Sequence, residues 1–172
     1  LISREQALRT LRKAGCRSEV VEHCQAVARQ ALELAEKIQN RGHKIDLRLV
    51  EVGALLHDVG RARTHGIRHG IIGADILRDK GLERFACFAE NHLGAGIPAA
   101  EAKGLGLPAK DFTPKTLEEK VVVYADKLVK GRRSTSYDEA VRWFKKELGP
   151  SHPALQRFEI LHRDIQRLLG TV

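Results

Sequence analysis

Apolar residues recur along this chain every three or four positions, and the runs are bracketed by residues that start and stop helices. Ser3-Arg4-Glu5-Gln6 reads as a capping box opening a short helix that Gly15 ends. Ser18 is expected to cap a long helix with the stripe Val20, Cys24, Val27, Ala31, Leu34 and Ile38, ended by Asn40-Arg41-Gly42. Asp46 caps Leu47–His57, which is apolar on nearly all sides and therefore central, and Gly60 closes that run. A basic stretch, Arg61–Arg68, precedes a helix from about His69 to Lys80, and Leu82–His92 reads as another helix. Leu93–Thr113 is the least regular part. Thr116-Leu117-Glu118-Glu119 and Ser136-Tyr137-Asp138-Glu139 are further capping boxes, the first opening a buried helix through Val121, Tyr124, Ala125 and Leu128. Pro153 sits where the first turn of a final helix tolerates it, ahead of the stripe Leu155, Phe158, Leu161, Ile165 and Leu168. No segment alternates with period two for long enough to make a strand, and there is no repeat or linker. The expected fold is all-α, a single-domain helical bundle over residues 1–172.

Composition narrows the setting. With 42% hydrophobic and 30% charged residues the chain is an ordinary globule. No apolar run approaches a membrane span of about 18 residues, and charged residues recur from Arg4 onward, which argues against a signal peptide. Cys16, Cys24 and Cys87 form no CxxC pair, so the expectation is reduced thiols in a cytoplasmic protein rather than a disulfide framework or a thiolate zinc site. Lys and Arg exceed Asp and Glu by 30 − 22 = 8. That excess suits an anionic partner, either a small phosphorylated molecule or a nucleic acid.

Polar residues on the buried faces carry more information. His23 lies between Val20 and Val27 on the inner face of its helix, and His57 and Asp58 end the most buried one. His69 aligns with Ile72, Gly73 and Ile76, His92 follows Phe85, Phe88 and Ala89, and Asp126 lies between Val122 and Val129. Taken singly, each has a plain explanation. An inward histidine is more often a hydrogen-bonded core residue than a ligand, Asp126 could pair with Lys130 at i+4, and an Asp at a helix end is often a turn residue. Taken together the plain explanations fail, because an unpaired buried carboxylate costs several kcal/mol, about as much as a small domain can spare. Four histidines and two carboxylates pointing inward are the ingredients of a metal site inside a bundle. Imidazole and carboxylate without thiolate suit Fe, Mn, Zn, Co or Ni. His43, His65, His152 and His162 stand apart. Of these His65, in the basic loop, is a candidate to reach a substrate, and His162 borders the last apolar stripe as a structural residue.

His57-Asp58-Val59-Gly60-Arg61 resembles the signature of the HD-domain metal-dependent phosphohydrolases. His23 upstream, His69 and His92 downstream, and Ala125-Asp126-Lys127-Leu128 complete the order H…HD…H…H…D over roughly positions 18 to 130. The pattern looks closest to the small stand-alone HDIG-type proteins of archaea. The resemblance implies an α-helical domain with its metal-site core at about 18–130, to which the caps and apolar stripes add C-terminal helices at 136–169. It implies that His23, His57, Asp58 and Asp126 hold one metal, and that His69 and His92 hold a second with Asp58 bridging. The chain departs from the cyclic-dinucleotide phosphodiesterase branch. Gly104-Leu105-Gly106-Leu107-Pro108 lacks the tyrosine of that branch's GYP motif, and Asn91 rather than a second histidine precedes His92.

The expected chemistry is hydrolysis of a phosphate ester or anhydride, with nucleotides first among substrates, by a metal-activated hydroxide. One or two divalent ions would be the cofactors. Asp58 and Arg61 are the expected catalytic residues, Arg61 meeting the phosphate bidentately, with Arg63, Arg68 and Lys127 as further substrate contacts and Lys130, Arg132 and Arg133 behind them. A solvated basic face is an equal reading of that second group. Two rival functions stand beside the hydrolase: a di-iron oxygenase on the same scaffold, and a basic helical nucleic-acid binder, which explains the charge but not the inward His and Asp residues.

Overall fold

The computed structural model describes all 172 residues. Nine helices run in order: α1 (Arg4–Ala14), α2 (Ser18–Asn40), α3 (Leu47–Leu56), α4 (His69–Asp79), α5 (Ala86–Glu90), α6 (Ala99–Gly104), α7 (Leu117–Lys127), α8 (Tyr137–Leu148) and α9 (Pro153–Leu169). Single 3-10 turns occupy Val59–Ala62, Glu83–Phe85 and Leu93–Ala95. The fold is all-α, as the periodicity predicts, with one small addition. A two-residue hairpin, β1 (Val129–Lys130) and β2 (Arg133–Ser134), pairs Val129 with Ser134 and Lys130 with Arg133. Strands this short carry no period-two signal.

Local chemistry sets most helix ends. The Ser3 hydroxyl accepts from the Gln6 N–H at 3.2 Å while the Gln6 side chain accepts from the Ser3 N–H at 2.7 Å. Ser136 and Glu139 repeat the arrangement at 3.1 and 3.0 Å. Asp46 caps α3 through the Leu49 N–H, and Gly15 ends α1 in the left-handed conformation at φ 99°. Three expectations need correction. Arg17, extended at ψ 159°, is the residue before α2, so Ser18 lies inside the first turn and caps nothing. Thr116 accepts from the Glu119 N–H, but Glu119 does not reach back; its carboxylate accepts instead from Asn91 Nδ2 at 2.9 Å. Leu82–His92 is no continuous helix either. It is a 3-10 turn followed by α5, and His92 lies beyond the helix end, where its ring hydrogen-bonds to the Ala89 carbonyl that a longer helix would have used.

Helices α2, α3 and α7 pack on one another at the centre, with α1 against α3, and α9 covering α7 and α8. One continuous apolar core links Ala7 and Leu11 of α1 to Phe158 and Ile165 of α9. Ile97, Ala102, Leu107 and Phe112 form a satellite cluster held by the antiparallel backbone pairing of Ile97 with Phe112, which orders the otherwise irregular stretch around α6. No helix is long and apolar enough to cross a membrane.

Glycine at two seams lets the elements that carry the inward histidines approach. A Cβ on Gly60 would collide with the His69 carbonyl oxygen and come within 2.6 Å of the Gly73 nitrogen. Gly60 therefore does not simply stop a helix; it lets α4 dock against the turn after His57-Asp58. Gly53 does the same for α3 and the Phe88 ring.

Candidate metal centre

Five segments deliver the six inward residues to one place. His23 comes from the second turn of α2, His57 and Asp58 from the end of α3, His69 from the start of α4, His92 from the turn after α5, and Asp126 from the last turn of α7. His57, Asp58, His69 and His92 are at most 3% exposed. His23 and Asp126 keep side-chain exposures of 17% and 10%, which places them at the mouth.

Each of the four rings is oriented by a backbone carbonyl on its Nδ1. The partners are Gly131 for His23 at 2.6 Å, Ala54 for His57 at 2.7 Å, Gly66 for His69 at 2.8 Å and Ala89 for His92 at 2.7 Å. A carbonyl can only accept, so every Nδ1 carries the proton and every neutral ring presents its Nε2 lone pair to the centre. In three rings the carbonyl belongs to residue i−3, so the local turn sets the ring. His23 instead depends on the hairpin, whose turn glycine supplies the carbonyl.

The Nε2 atoms then face oxygen lone pairs and one another. His23 Nε2 lies 3.0 Å from Asp126 Oδ1 and 3.8 Å from Asp58 Oδ2. His57 Nε2 lies 3.4 Å from Asp126 Oδ1 and 3.7 Å from Asp58 Oδ2. Across the same carboxylate, Asp58 Oδ1 is 3.1 Å from His69 Nε2 and 3.3 Å from His92 Nε2, and those two nitrogens are 3.1 Å apart. His57 Nε2 and Asp58 Oδ1 are buried with no hydrogen-bond partner. His23, His57 and Asp126, and separately His57, Asp58 and His92, each bring their donor atoms within 4.8 Å of one another. Buried acceptors that face one another in this way could share a cation.

The electrostatics agree. Burial works against a charge on His57, yet Asp58 and Asp126 outweigh it and hold the imidazole well above its ordinary pKa. Burial would likewise raise both carboxyl pKa values. Asp58 is held well below the usual range by His57, His69 and His92, and Asp126 by Lys127 and His57. Burial pushes His92 down to about 4, so that ring stays neutral and its Nε2 lone pair faces Asp58.

The centre opens into a cleft of about 530 Å³ lined by His23, Arg61, Asp126, Lys127 and Lys130 together with Val129, Trp143, Phe144 and Leu148. Arg61 Nε donates to Asp58 Oδ2 at 2.7 Å, and Lys127 Nζ to Asp126 Oδ2 at 2.6 Å. Asp126 pairs with Lys127 rather than with Lys130. Arg63 and Arg68 are exposed and do not line the cleft, and Arg68 donates to the Gly106 carbonyl. His65 and His43 are also exposed. His152 caps α9 through the Ala154 N–H, and His162 bonds the Tyr124 hydroxyl at 2.6 Å and stacks on Tyr137.

The HD-domain family model matches residues 20–131, the span that holds all six inward residues. The chain belongs to the HD-domain family. This HD chain is 49% identical to an uncharacterised protein of Methanocaldococcus jannaschii over 166 residues, 96% of this chain and 98% of that one. It is 38% and 36% identical to proteins of Picrophilus torridus and Thermoplasma volcanium named tRNA (cytidine(56)-2'-O)-methyltransferase. The match covers 96% and 93% of this chain but only 47% and 46% of those proteins, so it spans about half their length. Among solved structures, the HD domain of L. monocytogenes phosphodiesterase PgpH superposes with a TM-score of 0.54 at 18% identity, covering 96% of each chain, a likeness of fold.

The cleft also contains residues outside the HD match that sequence reasoning passed over. Trp143, Phe144 and Leu148 come from α8. The lone tryptophan of the chain, on a helix rich in charged residues, is the one signal that could have marked them.

Proposed function

We propose that this chain is a metal-dependent phosphohydrolase that cleaves a phosphate ester or anhydride of a nucleotide. The observation that carries the reading is the inward set of four Nε2 lone pairs and two carboxylates, with His57 Nε2 and Asp58 Oδ1 left without partners. His23, His57, Asp58 and Asp126 would hold one divalent ion, and His69 and His92 a second, with Asp58 shared. The donor set suits Fe, Mn, Zn, Co or Ni. When bound, such ions supply Lewis acidity at the phosphoryl group and lower the pKa of a water toward about 7.

The protein's own groups do the rest. Arg61 spends its Nε on Asp58, which leaves both terminal guanidinium nitrogens to grip the substrate phosphate in two places. Lys127 contributes a second positive charge beside Asp126. Asp58 accepts a hydrogen bond from the attacking water and so aligns it. This basic pair favours a phosphoester over the oxygenase chemistry that the same scaffold admits. Two relatives named as tRNA methyltransferases, together with the net charge of +8, make RNA a reasonable source of the phosphoester.

The test is a screen of nucleotides, dinucleotides, short oligoribonucleotides and simple phosphomonoesters with each of the five metals, reading released phosphate or nucleotide. At least one class should be turned over, and Asp58→Ala should abolish that turnover. No turnover with any metal, or an active Asp58→Ala protein, would overturn the reading.

A further inference from the structure

Beside its ionic residues the cleft is lined by Val129, Trp143, Phe144 and Leu148, and the phosphohydrolase chemistry has no use for that apolar group. Trp143 and Leu148 of α8 are 41% and 42% exposed. Anchoring α8 does not require them, because Ala140 and Phe144, at 0% and 8% exposure, dock the helix in the core. The Phe144 ring packs edge-on to the indole at 5.2 Å. Lys130 Nζ rests 4.6 Å from the indole centroid. Lys130 belongs to the hairpin whose next residue, Gly131, orients His23. A flat, half-exposed aromatic surface therefore stands in the same cleft as the metal centre, with the Lys130 ammonium group beside it. At about 530 Å³ the cleft is in the size range of small-molecule sites and is far larger than a phosphate alone requires.

We infer that Trp143 is the specificity-determining residue of this cleft, stacking the nucleobase of a nucleoside phosphate whose phosphate lies at Arg61 and Lys127. The inference rests on the phosphohydrolase reading for the placement of the phosphate, and it adds the residue that recognises the nucleobase. Stacking on an aromatic side chain tolerates any base, so discrimination is between nucleotides and phosphates without a ring rather than among bases. Lys130 leaves the indole when the base arrives and turns to the phosphate.

The chain's one tryptophan makes binding directly readable. Metal-loaded protein is titrated with the four ribonucleoside 5'-monophosphates, ribose 5-phosphate and inorganic phosphate, following tryptophan fluorescence and, in parallel, calorimetric affinity. Nucleotides should quench the emission and bind at least about ten-fold more tightly than ribose 5-phosphate. Trp143→Ala should remove that advantage, leaving ribose 5-phosphate binding and the melting temperature near wild type. Trp143→Phe should restore most of it, which a purely structural tryptophan would not show. Equal affinity for nucleotides and ribose 5-phosphate, or an undiminished advantage in folded Trp143→Ala, overturns the inference. The two readings fail separately. Nucleotides that bind through Trp143 without being hydrolysed contradict the phosphohydrolase reading alone, whereas hydrolysis with an unchanged KM in Trp143→Ala contradicts the stacking subsite alone.

Discussion

At His57 a proton and a metal ion compete for the same lone pair. The carboxylates of Asp58 and Asp126 hold the ring's pKa well above its ordinary value, which favours the protonated ring in the metal-free protein. A ligand must be deprotonated to bind, so loading releases a proton and affinity rises with pH through the raised value. Titrations at about pH 6 and about pH 8, in buffers of different ionisation enthalpy, should show tighter binding at the higher pH and measurable proton release. A pH-independent affinity without proton release would contradict this account. Much of this was legible in the residues themselves, because each inward His or Asp sits at a helical spacing from apolar neighbours. The carbonyls of Ala54, Gly66, Ala89 and Gly131 were not legible, since every residue has one and only the folded turn aims it.

Among the elements, the approach of α4 to the turn after α3 is the tightest seam. Gly60→Ala forces a methyl group against the His69 carbonyl, and such overpacking costs about 1–3 kcal/mol or more. Because the displaced backbone carries a proposed ligand, metal affinity should fall along with the melting temperature. Gly104→Ala, with open space around its Cα, is the control and should leave both unchanged. Equal behaviour of the two variants in calorimetry and metal titration would refute the seam's role. Helix caps decided by neighbours, such as Ser3, Asp46 and Ser136, could be read from the chain. Glu119 could not, because its carboxylate answers to Asn91, 28 residues away. The hairpin that holds His23 was equally hidden, being only two residues per strand.

Across the whole molecule, the HD match at residues 20–131 accounts for the ionic floor of the cleft, and α8 supplies its apolar wall. The basic excess that opens onto nucleic acid as a partner is, at the cleft, a matter of Arg61, Lys127 and Lys130. Contacts of this kind join residues more than a hundred positions apart, such as His23 and Asp126, and no local pattern encodes them. The six inward side chains were nevertheless foreseeable together, because leaving so many polar groups on buried faces without partners is costly for a chain of this size. That cost makes metal content the most direct test of the account. Protein purified without chelator and dialysed against Mn or Fe should retain one or two equivalents by elemental analysis, and Asp126→Ala should retain fewer. Near-zero metal in the wild-type protein after such loading would contradict it.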